Sequence, residues 1–311
     1  MKKRVLVLGG SGMLGSMVVD YLARTREFEL AATTRSKLMQ QVCLGRHGDV
    51  SWSEFDASDD AADAPKIFEG HDWVINCIGI IKPLIHDDNA AEVERAVRIN
   101  ALFPHLLAGW TAGRSRVLQI ATDCVYSGSK GSYGEGEEHD ALDVYGKTKS
   151  VGEVQAAHVN HLRCSIVGPE MKEPRSLLEW FLGQAQGSAV NGFVNHNWNG
   201  VTTLHFAKLC QGIIKQDLSL PQVLHIIPDG IVTKCEMLEH FARCYGRDKV
   251  TIRPVEAASV IDRTLRTDHE DLNGQLWMAA GYEKAPALVD MIEELAGFDY
   301  GQANGRIDAR N

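Results

Sequence analysis

Arg4-Val5-Leu6-Val7-Leu8-Gly9-Gly10-Ser11-Gly12-Met13-Leu14-Gly15 decides the fold. A short β-branched apolar run stops at a pair of glycines. Past them, Met13, Met17, Val18, Tyr21 and Leu22 recur at helical spacing and give one apolar face. The order is strand, glycine turn, helix. Gly9, Gly12 and Gly15 stand as G-x-x-G-x-x-G, so the backbone can turn sharply and approach a pyrophosphate lying on the free N–H groups of the helix N-terminus. Ser11, Met13 and Leu14 belong to the same candidate cradle. A ligand-free glycine turn is the alternative, and the strand-turn-helix setting weighs against it.

The alternation continues along the chain. Arg4–Leu8, Phe28–Thr34, Asp72–Ile78, Arg116–Ala121, His161–Val167 and Val223–Ile227 are short apolar runs separated by helical stretches, which predicts a parallel sheet covered on both faces. Helices are predicted over Val93–Trp110, kinked or interrupted by Pro104, and over Tyr145–His158, Leu177–Ala185, Thr202–Lys215 and Cys235–Tyr245. The fold class is α/β, a Rossmann-type doubly wound parallel sheet with a smaller, discontinuous substrate-binding lobe. The expected division is 1–167 with about 223–230 for the sheet domain, and 168–222 with 231–311 for the lobe. Ser127–Asp143, rich in Gly, Glu and Ser, is expected to be a long mobile loop.

The 311 residues leave room for a large core, and 44% hydrophobic with 23% charged residues is ordinary for a globular protein. A formal charge of −9 lacks the basic excess that nucleic acid or an anionic membrane surface demands. Met1-Lys2-Lys3-Arg4 before an apolar run imitates a signal peptide, but Gly9-Gly10 ends that run too early. No stretch approaches the ~18 apolar residues of a membrane span, so a cytoplasmic protein is expected. Seven cysteines, scattered through apolar segments and never spaced C-x-x-C, read as reduced core thiols and not as a zinc site. No metal is expected.

Other candidates fall at strand ends, where open α/β sheets bind their ligands. Thr33-Thr34-Arg35-Ser36 closes the second strand where an NAD enzyme usually carries an acid; Arg35, with Ser36 as a second donor, can instead meet a 2′-phosphate, which points to NADP(H). A solvated surface arginine is the competing account. Asp56-Ala57 and Cys77-Ile78-Gly79 are candidate neighbours of adenine and ribose.

Tyr145-Gly146-Lys147-Thr148-Lys149 places a phenol and an ammonium one helical turn apart. A phenol with reference pKa near ~10 works poorly in acid–base chemistry at neutral pH unless a cation supports its phenolate, and Lys149 supplies one. Alone, Y-x-x-x-K usually marks a solvated helix face. Here it follows the glycine turn and a strand running into Ala121-Thr122-Asp123-Cys124-Val125-Tyr126.

With Arg98-Ile99-Asn100-Ala101 and Leu162-Arg163-Cys164-Ser165-Ile166-Val167-Gly168-Pro169, these segments resemble the extended short-chain dehydrogenase/reductases, and within them the dTDP-4-dehydrorhamnose reductase group, along nearly the whole chain. The resemblance implies a cytoplasmic NADPH-dependent oxidoreductase that reduces a nucleotide-linked 4-keto-6-deoxy sugar in cell-surface polysaccharide biosynthesis. Tyr145 would protonate the ketone oxygen, Thr122 would orient it and Lys149 would hold the nicotinamide ribose. Asn100 matches the family asparagine near the active site, although a satisfied core amide accounts for it equally well. Ser165 and Ile166 correspond to the segment lining the nicotinamide, and Asp123 and Cys124 to the substrate side.

Ala141 stands where many members carry proline, and the hydroxyl of the triad is threonine. The stretch Asn195-His196-Asn197-Trp198-Asn199-Gly200-Val201-Thr202-Thr203 is unlike the rhamnose-pathway enzymes, so a different sugar or base is open. His196 and Trp198 could stack on a base or pyranose and Asn195 or Asn199 could bond a hydroxyl; an Asn/Gly-rich turn around a buried tryptophan is the alternative. Arg263 and Arg266 are diphosphate candidates by charge. Two rivals stand beside the reductase. One is a sugar-nucleotide epimerase or dehydratase, the latter disfavoured because Cys124 replaces its glutamate; the other is a non-catalytic dinucleotide-binding regulatory subunit like that of methionine adenosyltransferase. The triad favours an enzyme, and a homodimer is possible.

Overall fold

A computed structural model describes residues 1–59, 65–171 and 175–300. The first half runs β1 (Arg4–Leu8), α1 (Met13–Thr25), β2 (Glu29–Thr34), α2 (Lys37–Arg46), β3 (Ser51–Glu54), β4 (Trp73–Asn76), α3 (Ala90–Ala96), α4 (Phe103–Thr111), β5 (Arg116–Ala121), α5 (Val144–Val151) and β6 (Val159–Arg163). The second half continues with β7 (Ile166–Val167), α6 (Leu177–Leu182), β8 (Ala189–Phe193), β9 (His196–Trp198), β10 (Val201–Thr202), α7 (Thr203–Gln216), β11 (Val223–His225), β12 (Val232–Thr233), α8 (Lys234–Cys244), β13 (Thr251–Val255), β14 (Ile261–Asp262), α9 (Glu270–Ala279) and α10 (Leu288–Gly297).

Seven strands form one parallel sheet in the order β11-β6-β5-β4-β1-β2-β3, the Rossmann-type arrangement expected. Val5 to Leu8 of β1 are all buried because helices cover both faces, which is why the strand reads as a continuous apolar run and not as an alternation. The chain winds from β1 through β2 to β3, then returns to the other side of β1 with β4. The switch point therefore lies between the carboxyl ends of β1 and β4, where such sheets open a ligand crevice. Residues 166–262 supply three small sheets: β7 with β10, β8 with β13, and β9 between β12 and β14. One apolar cluster joins Val5 and Val7 of β1, Met17 and Leu22 of α1, and Leu204 and Cys210 of α7 to Trp198, Met237 and Phe241. Among the described residues no helix is long and apolar enough to cross a membrane, and no group of three or more His, Cys, Asp or Glu side chains could hold a metal.

Several expectations need correction. The run His161–Val167 is two strands, with Cys164 and Ser165 between β6 and β7. The predicted helix Tyr145–His158 ends at Val151, where Gly152 takes the C-cap; a Cβ there would lie 2.0 Å from the Asn100 carbonyl oxygen, so only glycine lets α5 stop against that backbone. Pro104 does interrupt its helix: π-helical Val97–Leu102 separates α3 from α4. The 127–143 loop is tied down, because the Tyr133 hydroxyl accepts from the N–H groups of Gly128 (3.1 Å) and Ser129 (3.0 Å) while its ring stacks on Tyr126 at 4.2 Å.

Candidate active site

The glycine turn is fastened to the sheet before any ligand is considered. Gly9 N–H donates to Thr33 Oγ1 (3.1 Å) and Gly10 N–H to the Thr33 carbonyl (2.8 Å). A Cβ on Gly15 would sit 2.2 Å from the Gly9 oxygen, and one on Gly10 would meet the Trp52 ring at 2.8 Å, so these two glycines are fixed by packing. Gly12 differs. A Cβ there would meet nothing closer than 3.4 Å, and no side chain caps α1. By contrast Ser36, Asp143, Ser176, Thr202 and Thr233 cap α2, α5, α6, α7 and α8. Gly12 N–H closes the turn onto the Gly9 carbonyl (2.9 Å), and the first helical N–H groups beyond it, Met13 to Gly15, take no side-chain cap on this open face, which fits a dinucleotide pyrophosphate held by Ser11 to Gly15.

The loop after β4 abuts this turn. Cys77 N–H donates to the Leu8 carbonyl (3.2 Å), and the Ile78 side chain lies against Gly9. Asn100 clasps Ile80, two residues on, accepting from its N–H (2.8 Å) and donating to its carbonyl (3.0 Å). It is a satisfied core amide whose work is to hold Gly79 over Lys149. A Cβ on Gly79 would point between Asn100 Oδ1 (3.5 Å) and Lys149 Nζ (4.0 Å). Arg35 is exposed at the end of β2, and Ser36 accepts from Met39 N–H, which leaves its hydroxyl hydrogen to donate. Asp56 Oδ1 accepts from the Ser58 N–H (2.9 Å) and hydroxyl (2.7 Å), which fixes the side chain at the end of β3.

Thr122, Tyr145 and Lys149 meet at the carboxyl end of β5. Thr122 accepts from Cys124 N–H (3.2 Å) and donates to Asp123 Oδ1 (3.3 Å). Lys149 is buried and donates to the Ile120 carbonyl (3.0 Å); burial pulls its pKa down to about 8 against the charge of Glu153. Burial also pushes the Tyr145 phenol well above its usual range, opposed by its contact with the Thr122 hydroxyl. Lys149 is turned to β5, not to the phenol, so the expected phenolate support is not a direct pair. The phenol therefore stays protonated at neutral pH and is a weak acid until a bound group supports its phenolate.

Asp123 is buried, and desolvation raises its pKa against the opposing charges of Arg263 and Lys234. Cys124 is similarly pushed up to about 12 by burial, which suits it to packing and not to acid–base work. Arg263 donates to the Tyr126 carbonyl (2.8 Å) and lines a cavity of about 380 Å³ with Asp87, Ser127 and Asp143. Arg266 is occupied by Asp268 and by Glu137 (3.6 Å). In the 195–203 stretch, Asn195 clasps Ala257 and Asn199 clasps Leu265, each through backbone, while His196 is held by the Ser259 carbonyl (3.0 Å) and stands beside Phe193. Trp198 is buried and donates to Ser165 Oγ (2.7 Å), joining the 165–166 segment to β9. Lys234, which the sequence reading did not single out, lies 5.3 Å from the Trp198 ring centroid.

Comparison with known proteins follows the same outline. No curated protein matches the chain. Among solved structures, a dTDP-4-dehydrorhamnose reductase from Clostridium acetobutylicum is 19% identical, covers 94% of this chain and 98% of its own, and superposes with a TM-score of 0.68. The dTDP-4-dehydrorhamnose reductase of Bacillus anthracis in complex with NADP is 17% identical over 95% and 99% of the two chains, TM-score 0.71. UDP-glucuronic acid 4-epimerase of Bacillus cereus, with UDP-glucuronic acid and NAD, is 14% identical over 94% and 98%, TM-score 0.73. At these identities the likeness is one of fold. Residues 2–296 match the RmlD substrate binding domain family, and the chain belongs to that family.

Proposed function

We propose that the protein is an NADPH-dependent oxidoreductase reducing the keto group of a nucleotide-linked sugar, in the manner of a dTDP-4-dehydrorhamnose reductase. The observation that carries this reading is the placement of the half-buried Tyr145 beside Thr122 and Lys149 at the end of β5, in a chain whose first strand runs into an uncapped glycine-rich helix N-terminus. Bound NADPH supplies a hydride. Ser11 to Gly15 hold its pyrophosphate, Arg35 and Ser36 meet its 2′-phosphate, and Lys149 with the Gly79 backbone receives the nicotinamide ribose. Tyr145 donates its proton to the ketone oxygen as charge develops there, and Thr122 orients that oxygen. Asn100 positions the Gly79 loop for this arrangement. The stacked Tyr126 and Tyr133 hold the loop that walls the substrate side.

The retained Thr122, Tyr145 and Lys149 favour an enzyme over a regulatory subunit. The test mixes purified protein, NADPH and a panel of nucleotide-linked 4-keto sugars while the absorbance of the reduced nicotinamide is followed. Substrate-dependent loss of that absorbance is expected for at least one member. A protein that binds NADPH yet consumes none with any keto sugar would overturn the reading.

A further inference from the structure

Helix α5 carries Tyr145 and Lys149, and the loop that precedes it folds back along the same helix. A Cβ on Gly146 would overlap the Ala141 side chain and the Cys124 carbonyl, so the loop lies directly against α5 there. One turn further on, Ser150 meets His139 of the loop, with Ser150 Oγ and His139 Nδ1 2.7 Å apart. Ser150 directly follows Lys149. The other ring nitrogen, Nε2, lies 2.9 Å from Arg163 Nη2. Arg163 also donates to both oxygens of Glu153, the second residue past α5. Loop and helix end are therefore fastened to one buried guanidinium.

This geometry fixes the tautomer of His139. A guanidinium has donors and no acceptor, so Nε2 presents its lone pair to Arg163, and Nδ1 keeps the ring proton and donates it to Ser150. An imidazolium has no lone pair to offer. Protonation would turn a hydrogen bond into a contact between two cations and leave an Arg163 donor unmatched. From these contacts, and resting on the reductase reading, we propose that His139 is a positioning residue. It latches the 127–143 loop to the helix bearing Tyr145 and Lys149, and the latch holds only while the imidazole is neutral.

The surroundings favour the neutral ring. Burial holds the pKa of His139 below the ordinary histidine value; Glu153, 3.7 Å away, opposes this, Arg163 reinforces it and Asp140 opposes it. Tyr126 faces the ring edge-on at 5.6 Å. Behind Arg163, His225 accepts a second bond from the guanidinium (2.7 Å), and burial pulls its pKa down to about 4. The unfolded chain binds the His139 proton more readily than the folded one. The latch therefore contributes fully above the ordinary histidine pKa near ~6.5 and is lost as the pH falls through the lower folded value.

The test measures kcat and KM for the keto sugar with NADPH from about pH 5 to about pH 8 in wild type, His139→Gln and His139→Ala. Amide hydrogen exchange of residues 127–153 is followed over the same range without substrate. Glutamine can accept from Arg163 and donate to Ser150 without titrating. Wild type should lose kcat below about pH 6.5, with exchange quickening over the same interval. His139→Gln should remove that acid limb from both readouts. His139→Ala should lower kcat about tenfold or more at neutral pH, because misplacing a catalytic group by about 1 Å costs up to about 10²-fold. An acid limb unchanged in His139→Gln, or wild-type kcat in His139→Ala, would overturn the proposal. An exchange transition with no acid limb in turnover would overturn the positioning role by leaving His139 a purely structural one. Wild type that consumes no NADPH with any keto sugar, while its exchange transition still disappears in His139→Gln, would overturn the reductase reading and the catalytic role drawn from it.

Discussion

Arg163 offers the sharpest stability test because it is 1% exposed yet fully engaged. It donates to both Glu153 oxygens, at 3.0 and 2.5 Å, to the Tyr126 hydroxyl at 2.7 Å, and to ring nitrogens of His225 (2.7 Å) and His139 (2.9 Å). The network ties β6 to the end of α5 and to the loop that follows Asp123. Arg163→Met preserves much of the volume but leaves the Glu153 side chain, 7% exposed, without its cation. Breaking a buried pair from one side costs about 3–5 kcal/mol. Replacing both ends, in Arg163→Met/Glu153→Met, removes the stranded charge and leaves only the acceptors on Tyr126, His139 and His225, a cost of about 1–3 kcal/mol. The assay is equilibrium urea unfolding at neutral pH, followed by tryptophan fluorescence and far-ultraviolet circular dichroism. A pH arm follows from Glu153: burial raises its pKa, and Arg163 outweighs burial and holds it below its ordinary value. The pair's contribution is thus fully present above the ordinary glutamate pKa near ~4.3 and is lost as the pH falls through the lower folded value. The wild-type advantage over the double variant should shrink accordingly on acidification. A single variant costing under about 1 kcal/mol, or a double variant no better than the single, would refute this reasoning.

Tyr145→Phe should keep NADPH affinity, measured by fluorescence, and lose ~10²–10⁴-fold in turnover, the usual cost of a missing general acid; wild-type-like turnover would remove the phenol from the mechanism. Arg35→Ala should erase a preference for NADPH over NADH of at least about tenfold by weakening NADPH alone, and equal wild-type constants for the two cofactors would place Arg35 in solvent. Gly15→Ala should force the glycine turn open, since its Cβ would lie 2.2 Å from the Gly9 oxygen, and should weaken NADPH binding more than Gly12→Ala weakens the fold. Normal NADPH affinity in the Gly15 variant would show that the turn does not form the cradle.

Much of this architecture is legible in the sequence because its signals are local. The β1 run, the glycines and the helical spacing of Met17 and Leu22 each report one element, and buried parallel strands announce themselves as unbroken apolar runs. Boundaries that depend on contacts distant in sequence are not legible. Helix α5 stops at Gly152 because the Asn100 backbone lies against it, and nothing in residues 145–158 records that approach. The same holds in the site. Thr122, Tyr145 and Lys149 are spaced recognisably, whereas the Ile120 carbonyl that holds Lys149 and the Asn100 amide that holds Ile80 are supplied by contacts distant in sequence. Asn195 and Asn199 show the converse: residue types suited to sugar hydroxyls are consumed by the backbone of residues 257 and 265, partners that only the fold supplies.

The central claim is a net reduction, and it is tested most directly by isotope transfer. NADPH deuterated at the transferable C4 position is incubated with the protein and a nucleotide-linked 4-keto sugar, and the sugar is recovered for mass and NMR analysis. One deuterium at the new carbinol carbon, with one NADP+ formed per sugar and the transfer abolished in Tyr145→Phe, is the predicted result. A sugar altered in configuration without deuterium and without net oxidation of NADPH would contradict the account and identify an epimerase instead.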